Sequence, residues 1–183
     1  MTGFTNEFYK KFSRDLKIWI LQDITYTEDI GQLSYLQRQG SVTLIPKGQK
    51  DKKELENWRP ITLLNTLYKI IATMLANKIK KVLPIIIGKD QKGIVDGRNI
   101  SDAIRGLYDT ICAANNKSLT GIMLAIDFFK AFDSISFSFI KAVLNFFKFS
   151  KYLIDWIMIM LKDFTVTIMH AGNASRNINI GRG

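Results

Sequence analysis

The sequence predicts an α+β fold, and three observations lead there. Apolar residues recur at helical spacing in several separate stretches along its 183 residues. Two pairs of short β-former runs are placed as the arms of hairpins. No internal repeat or low-complexity tract interrupts them, and 47% of the residues are hydrophobic, which argues against disorder. A chain of this length buries a real core, so one domain or one large piece of a domain is expected.

Taken in order, Phe4, Phe8, Phe12, Leu16, Trp19 and Ile20 mark one face of an amphipathic helix, with Thr5 placed as its N-cap and Glu7 in its first turn. Core packing is the expected use of those aromatics. Gln32 to Gln39 reads as a second, shorter helix ending at Gly40. Ser41 to Ile45 reads as a strand stopped by Pro46, and Trp58 to Leu64 as its partner, with Pro60 near its start. The charged loop between them, Lys47 to Asn57, makes the pair a hairpin.

Asn65 is placed to cap a long helix whose stripe is Leu67, Ile70, Ile71, Met74, Leu75, Ile79, Val82 and Leu83, closed by Pro84. Residues 90–100 form a turn-rich basic segment in which Gly93 and Gly97 permit φ > 0. Ser101 is placed to cap another helix, with Ile104, Leu107, Ile111 and Cys112 on one face. Phe139 to Phe147 and Tyr152 to Leu161 read as two apolar helices joined near Ser150. Phe164 to Met169 and Asn177 to Ile180 then alternate as hairpin arms around Gly172-Asn173.

Composition narrows the chemistry. Cys112 and His170 are each the single residue of their type, which excludes a disulfide framework and a Cys/His zinc site, and the chain reads as intracellular. A secretory leader is not expected, because Glu7, Lys10 and Lys11 sit among the first apolar residues. Apolar runs such as Trp156 to Leu161 are too short to span a bilayer. The net charge of +10 is uneven: zero over residues 1–40, +2 over 41–64, +5 over 65–100 and +3 over 101–183. A local positive surplus suits a phosphate-rich partner, and a solvated helix face is the competing reading for any one lysine.

The most informative stretch is Ile122 to Ile135. An apolar run, Ile122 to Ile126, is expected to form a short buried strand that delivers Asp127 at its C-terminal end, and Asp133 follows six residues on. Carboxylate oxygens are hard donors suited to Mg²⁺ held together with substrate phosphates. On spacing alone, a surface Asp127 and an Asp133 that caps the next helix are the better reading of the pattern.

Ile126-Asp127-Phe128-Phe129-Lys130-Ala131-Phe132-Asp133 resembles the D-x-x-K-A-F-D motif of reverse transcriptases from non-LTR (LINE-type) retrotransposons. Four further blocks agree in the same order. Gly3 to Lys10 is similar to the segment before the fingers; Leu44-Ile45-Pro46-Lys47 and Asn57-Trp58-Arg59-Pro60-Ile61 resemble two fingers motifs; and Asp90 to Ile100 resembles D-Q-x-G-F-x-x-G-R-x-I. The departures are Ile94, where Phe is usual, and Phe129, where a polar residue is usual.

The resemblance implies a partial right-hand polymerase fold: an N-terminal helical extension over 1–40, fingers over 41–117 and part of a palm over 118–183. It implies RNA-directed DNA polymerisation by two-metal nucleotidyl transfer, with an RNA template, a DNA primer and dNTPs as partners and Mg²⁺ as cofactor. Asp127 would be the catalytic metal ligand, joined by the Phe128 carbonyl. Lys47 and Arg59 would hold the nucleotide's triphosphate, and Phe132 would lie beneath the sugar and reject a 2′-hydroxyl. Arg98 would contact the template backbone; a cation packed against a turn is the competing reading. Without the resemblance, Lys47 and Arg59 are ordinary surface cations.

Gly181-Arg182-Gly183 is similar to the opening of the family's R-G-x-x-Q-G-x-P-x-S-P motif. By that likeness the Y/F-x-D-D motif, with the remaining catalytic carboxylates, lies outside these residues. Met1 likewise falls inside a segment similar to the family's own. The expectation is therefore a piece of a decayed or partial element, inactive alone. A non-catalytic nucleic-acid-binding module and an unfolded remnant are the competing readings.

Overall fold

The computed structural model describes residues 4–128 and 130–182, so Gly3, Phe129 and Gly183, singled out above, lie outside the described residues. The order is α1 (Asn6–Lys11), α2 (Ser13–Ile30), β1 (Gln39–Pro46), a 3₁₀ turn (Leu55–Asn57), β2 (Trp58–Leu64), α3 (Thr66–Lys80), α4 (Leu83–Ile86), α5 (Ile100–Asn116), α6 (Phe137–Phe146), α7 (Lys151–Leu161), β3 (Thr165–His170), β4 (Asn173–Ala174) and β5 (Ile178–Asn179). This is a mixture of helices with one small sheet. The chain divides into two compact units, Met1–Thr73 with Asp133–Gly183, and Met74–Phe132.

In the first unit the sheet order is β2-β1-β3-β4, with β5 also on β3. β1 and β2 form the expected antiparallel hairpin, with Ile45 opposite Arg59 and Val42 opposite Thr62. β3 adds in parallel to β1, pairing Gly40 with Val166 and Val42 with Ile168. Thr165–His170, from the stretch expected to form part of a palm, thus extends the hairpin's sheet. Val42 and Val166 are buried, whereas Ile45, Ile61 and Leu63 are exposed, so only one face of the sheet is covered. Gly40 sits where a side chain would be crowded: a Cβ there would lie 3.0 Å from Thr62 Cγ2 and 3.2 Å from the Phe164 ring.

Leu33, Ile71, Leu144, Leu153, Ile154, Trp156 and Met160 supply the rest of this unit's buried apolar side chains. Ser136 and Ser150 cap α6 and α7 by accepting from the Phe139 and Leu153 amides. The last hairpin turns at Ala171-Gly172, one residue earlier than expected. Both have positive φ, 48° and 79°, and His170 pairs with Asn173 across them. That is the backbone twist a two-residue hairpin loop needs.

The expected helix over Gln32–Gln39 does not form. α2 instead continues to Ile30, where Gly31 adopts φ 69° and donates to the Thr27 carbonyl, and the chain turns before β1. Buried Gln37 fastens the turn, accepting from the Ser34 amide at 2.9 Å and donating to Asp23. The N-terminal aromatics also depart from expectation. Phe4 stacks on Phe8, and Phe12 meets Phe8 tilted, but Phe4 and Trp19 are exposed rather than in the core, and the helix breaks at Phe12. Asn65 caps α3 as expected, accepting from the Leu67 amide at 2.9 Å.

The second unit holds the end of α3, then α4, the 87–99 turns, α5 and residues 117–132. Asn99, not Ser101, caps α5: its side chain accepts from the Ser101 amide at 2.9 Å. The α5 residues Ile104, Leu107 and Ile111 are exposed. The expected strand at Ile122–Ile126 is absent. Residues 119–128 carry no regular structure, and Ile122, Leu124 and Ile126 are exposed. β propensity alone does not make a strand, because the backbone groups need a neighbouring strand to pair with. Every strand of the sheet lies in the first unit, and none takes this segment. Among the described residues no helix is long and apolar enough to cross a membrane.

Candidate functional site

In the first unit, the predicted phosphate ligands sit at one end of the β1–β2 hairpin. Arg59 lies on β2 opposite Ile45, and the ladder runs one step further, the Lys47 amide donating to the Asn57 carbonyl at 2.7 Å. Side chains alternate along a strand and pair across it, so Lys47 continues the row of Thr43 and Ile45 on the face that carries Arg59 and Ile61. This is the uncovered face of the sheet. The Arg59 side chain is exposed and makes no hydrogen bond or ion pair among the described residues.

The loop behind Lys47 is tied down by its own polar groups. Lys47 Nζ donates to the Glu56 carbonyl at 2.7 Å, Asn57 Nδ2 to the Asp51 carbonyl at 2.9 Å, and Trp58 Nε1 to the Lys52 carbonyl at 3.0 Å. Gly48, at φ 61°, makes the tight reversal that follows Lys47. One of three ammonium hydrogens is thereby engaged, and Trp58 is further propped edge-on against His170 at 5.7 Å. The result is two cations on a hydrogen-bonded hairpin end, a surface suited to gripping a polyanion.

Asp127, Phe128 and Phe132 are in the second unit. Asp127 is exposed, and its carboxylate takes no hydrogen bond or ion pair among the described residues. Phe128 and Phe132 are likewise exposed, and Phe132 lies in the turn that follows Lys130, whose φ is 46°. Asp133 does not cap the next helix, since Ser136 does. One carboxylate with an adjacent carbonyl fits a cation that draws its other ligands from water and substrate phosphate. Among the described residues no group of three or more His, Cys, Asp or Glu is placed to hold a metal, so this arrangement does not by itself fit a pair of cations.

Arg98 is the residue whose placement most changes its reading. The guanidinium expected to meet the template is engaged by its own turn, donating to the carbonyls of Pro84, Ile87, Gly88 and Gln91. Four of its five N–H bonds are thereby taken.

A cavity of about 620 Å³ opens elsewhere in the first unit, lined in part by Glu28, Phe137, Lys141 and Lys162. None of the six predicted site residues lines it. Beside it is a contact that the sequence did not signal. The Glu28 carboxylate accepts from the Tyr152 hydroxyl at 2.5 Å and from Trp156 Nε1 at 2.9 Å. The Tyr152 hydrogen bond, then that of Trp156, holds the Glu28 carboxyl below its usual range, and the same bond pushes the Tyr152 phenol up.

Residues 45–181 match the reverse transcriptase (RNA-dependent DNA polymerase) family. The chain is 28% identical over 183 residues to the Transposon TX1 uncharacterized 149 kDa protein of Xenopus laevis, covering 100% of this chain and 14% of that protein. It is 29% identical over 142 residues to the Retrovirus-related Pol polyprotein from type-1 retrotransposable element R2 of Popillia japonica, covering 77% of this chain and 20% of that one. Over 97 residues it is 31% identical to the Putative 115 kDa protein in type-1 retrotransposable element R1DM of Drosophila melanogaster, covering 53% of this chain and 9% of that one. It therefore spans a fifth or less of the length of each of these relatives.

Proposed function

The chain belongs to the reverse transcriptase (RNA-dependent DNA polymerase) family, and on that premise we propose that it carries the nucleotide-gripping part of a LINE-type, non-LTR retrotransposon reverse transcriptase. The observation that carries the reading is the shared face of Lys47 and Arg59 at the end of the β1–β2 hairpin, with Arg59 unengaged. A planar guanidinium beside an ammonium grips the oxygens of a triphosphate, and an RNA template with a DNA primer would complete the substrate set.

In this proposal Asp127 and the Phe128 carbonyl would hold Mg²⁺. When bound, divalent cations supply activation of the primer 3′-hydroxyl and charge neutralisation at the leaving pyrophosphate. Phe132 would back the sugar and exclude a 2′-hydroxyl by bulk. These 183 residues offer one motif carboxylate toward that chemistry, so the chain alone binds substrate without polymerising it.

A second reading, a non-catalytic nucleic-acid-binding module, is favoured by the absence of a metal-holding cluster among the described residues. Primer extension with Mg²⁺, dNTPs and an RNA template, together with dNTP titration, separates the two. Nucleotide binding weakened in Arg59→Ala, with no extension, supports the proposal. Nucleic-acid binding without any dNTP binding supports the module. Templated extension abolished by Asp127→Ala would show that these residues form a working catalytic site with Asp127 in it.

A further inference from the structure

We propose that Arg98 is a positioning residue: its guanidinium closes the 84–98 segment on itself and leaves Lys89 and Lys92 as the cations this segment offers to a phosphate backbone. The segment needs a closure. α4 is a single turn, Leu83–Ile86, so its carbonyls have few partners within the helix. The chain then crosses turns at Gly88–Gln91 and Val95–Arg98 with no further regular structure before α5.

Arg98 gathers these ends. Nη1 donates to the Gly88 carbonyl at 2.5 Å and the Gln91 carbonyl at 2.9 Å; Nη2 donates to the Pro84 carbonyl at 3.1 Å and the Ile87 carbonyl at 2.8 Å. Gly97, at φ 78°, and the Arg98 amide bond to the Val95 carbonyl bring the side chain back over the turn it closes. Val95 is buried beneath, and Asp96 meets Lys80 at 4.0 Å. A forked, planar donor reaches four carbonyls at once; a lysine ammonium, with three hydrogens on one atom, does not.

With both terminal nitrogens engaged, Arg98 has only Nε–H left and cannot clamp a phosphate in the two-pronged way that makes arginine effective. Lys89 is exposed and Lys92 half-buried, and neither makes a hydrogen bond or ion pair among the described residues. They are two of the seven cations behind the +5 of residues 65–100. The phosphate partner rests on the nucleic-acid reading above; the closed turn does not.

The test uses the purified chain, its Arg98→Lys and Arg98→Ala variants, and the Lys89→Ala/Lys92→Ala double variant. Hydrogen exchange of residues 84–98 reads the turn. Anisotropy of a single-stranded RNA oligonucleotide at several salt concentrations reads binding, at a temperature where circular dichroism shows every variant folded. Arg98→Lys is expected to match Arg98→Ala, with exchange about tenfold faster or more and weaker binding in protein that is still folded. The double variant is expected to keep wild-type exchange while the slope of log affinity against log salt falls by about 1. Wild-type exchange and affinity in Arg98→Lys would overturn the positioning role and make Arg98 a plain charge contact. Wild-type binding with an unchanged slope in the double variant would overturn the lysine assignment alone. No oligonucleotide binding by the wild type would overturn the nucleic-acid reading, and with it the lysine assignment, while exchange still decides the role of Arg98.

Discussion

The Glu28 carboxylate on α2 accepts the indole N–H of Trp156 on α7 at 2.9 Å, joining residues 128 positions apart. Trp156 is 4% exposed, so its indole nitrogen has this acceptor in place of water. The Tyr152 hydroxyl, one turn earlier on α7, donates to the same Glu28 oxygen. Thr27 beside it is fully buried. This is where the N-terminal helix is fixed to the α6–α7 helical pair.

Replacing Glu28 by Ala is expected to lower stability by about 1 kcal/mol, because a buried indole N–H loses its acceptor. Urea denaturation at neutral pH checks it. A midpoint unchanged in Glu28→Ala would show that the α2–α7 junction rests on apolar packing alone.

The same contact sets a pH dependence. Glu28 is held below its usual range by the Tyr152 and Trp156 hydrogen bonds, so its contribution is present above its unfolded pKa and fades as pH falls through the lower folded value. Tyr152 is raised by its bond to Glu28, so its contribution is present below the ordinary phenol range and fades as pH rises through the folded value. Tyr68, raised by burial, acts in the second direction too. Both groups of the junction are solvent-facing, so the amplitude is small. Comparing denaturation midpoints of wild type and Glu28→Gln, the gap should be widest near neutrality and close below about pH 4. A gap constant from neutral to acid pH would contradict the assignment.

Gly40→Ala is expected to destabilise the sheet by about 1–3 kcal/mol, the usual cost of an added carbon in packed surroundings. The new Cβ meets Thr62 Cγ2 and the Phe164 ring. Denaturant unfolding reads the loss; a stability equal to wild type would mean that the ring and methyl move aside freely.

Arg59→Ala should weaken dNTP binding about tenfold, the scale of a charge-assisted hydrogen-bond pair, with an unchanged melting temperature. The side chain is exposed and makes no hydrogen bond or ion pair among the described residues, so nothing in the fold depends on it. Fluorescent-nucleotide titration beside a melting curve separates a binding role from a structural one, and a variant that melts earlier but binds equally would reject the assignment.

Asp127→Asn should leave the melting curve unchanged and remove the Mg²⁺-dependent part of nucleotide affinity. The carboxylate is exposed and takes no partner among the described residues, and Asn keeps its shape while losing its charge. Titrations with and without Mg²⁺ check this, and an equal Mg²⁺ response in the variant would place the cation elsewhere.

What the sequence determined by itself is what local physics settles. The Asn65 cap and the stripe from Leu67 to Ile79 marked α3, which ends at Lys80 rather than at Pro84, a residue of α4; the alternation of Ser41–Ile45 and Trp58–Leu64 around a charged loop marked the β1–β2 hairpin with Lys47 and Arg59 at its end. Caps, periodicity and turns act over a few residues, so they are legible before folding. Even here neighbours competed: Asn99 took the cap assigned to Ser101, and Gly31 ended the helix that Gln32–Gln39 was expected to restart. Only the tertiary structure decided the rest. β3 pairs with β1 in parallel more than a hundred residues away, Ile122–Ile126 has the composition of a strand but no partner, and Glu28 meets Trp156. Arg98 shows the same limit at shorter range, its charge plain in the sequence and its four carbonyl partners assembled only by the folded turn. A residue's type states which bonds it is able to make; which partner arrives is set by the packing of distant segments, whose closure no local pattern encodes.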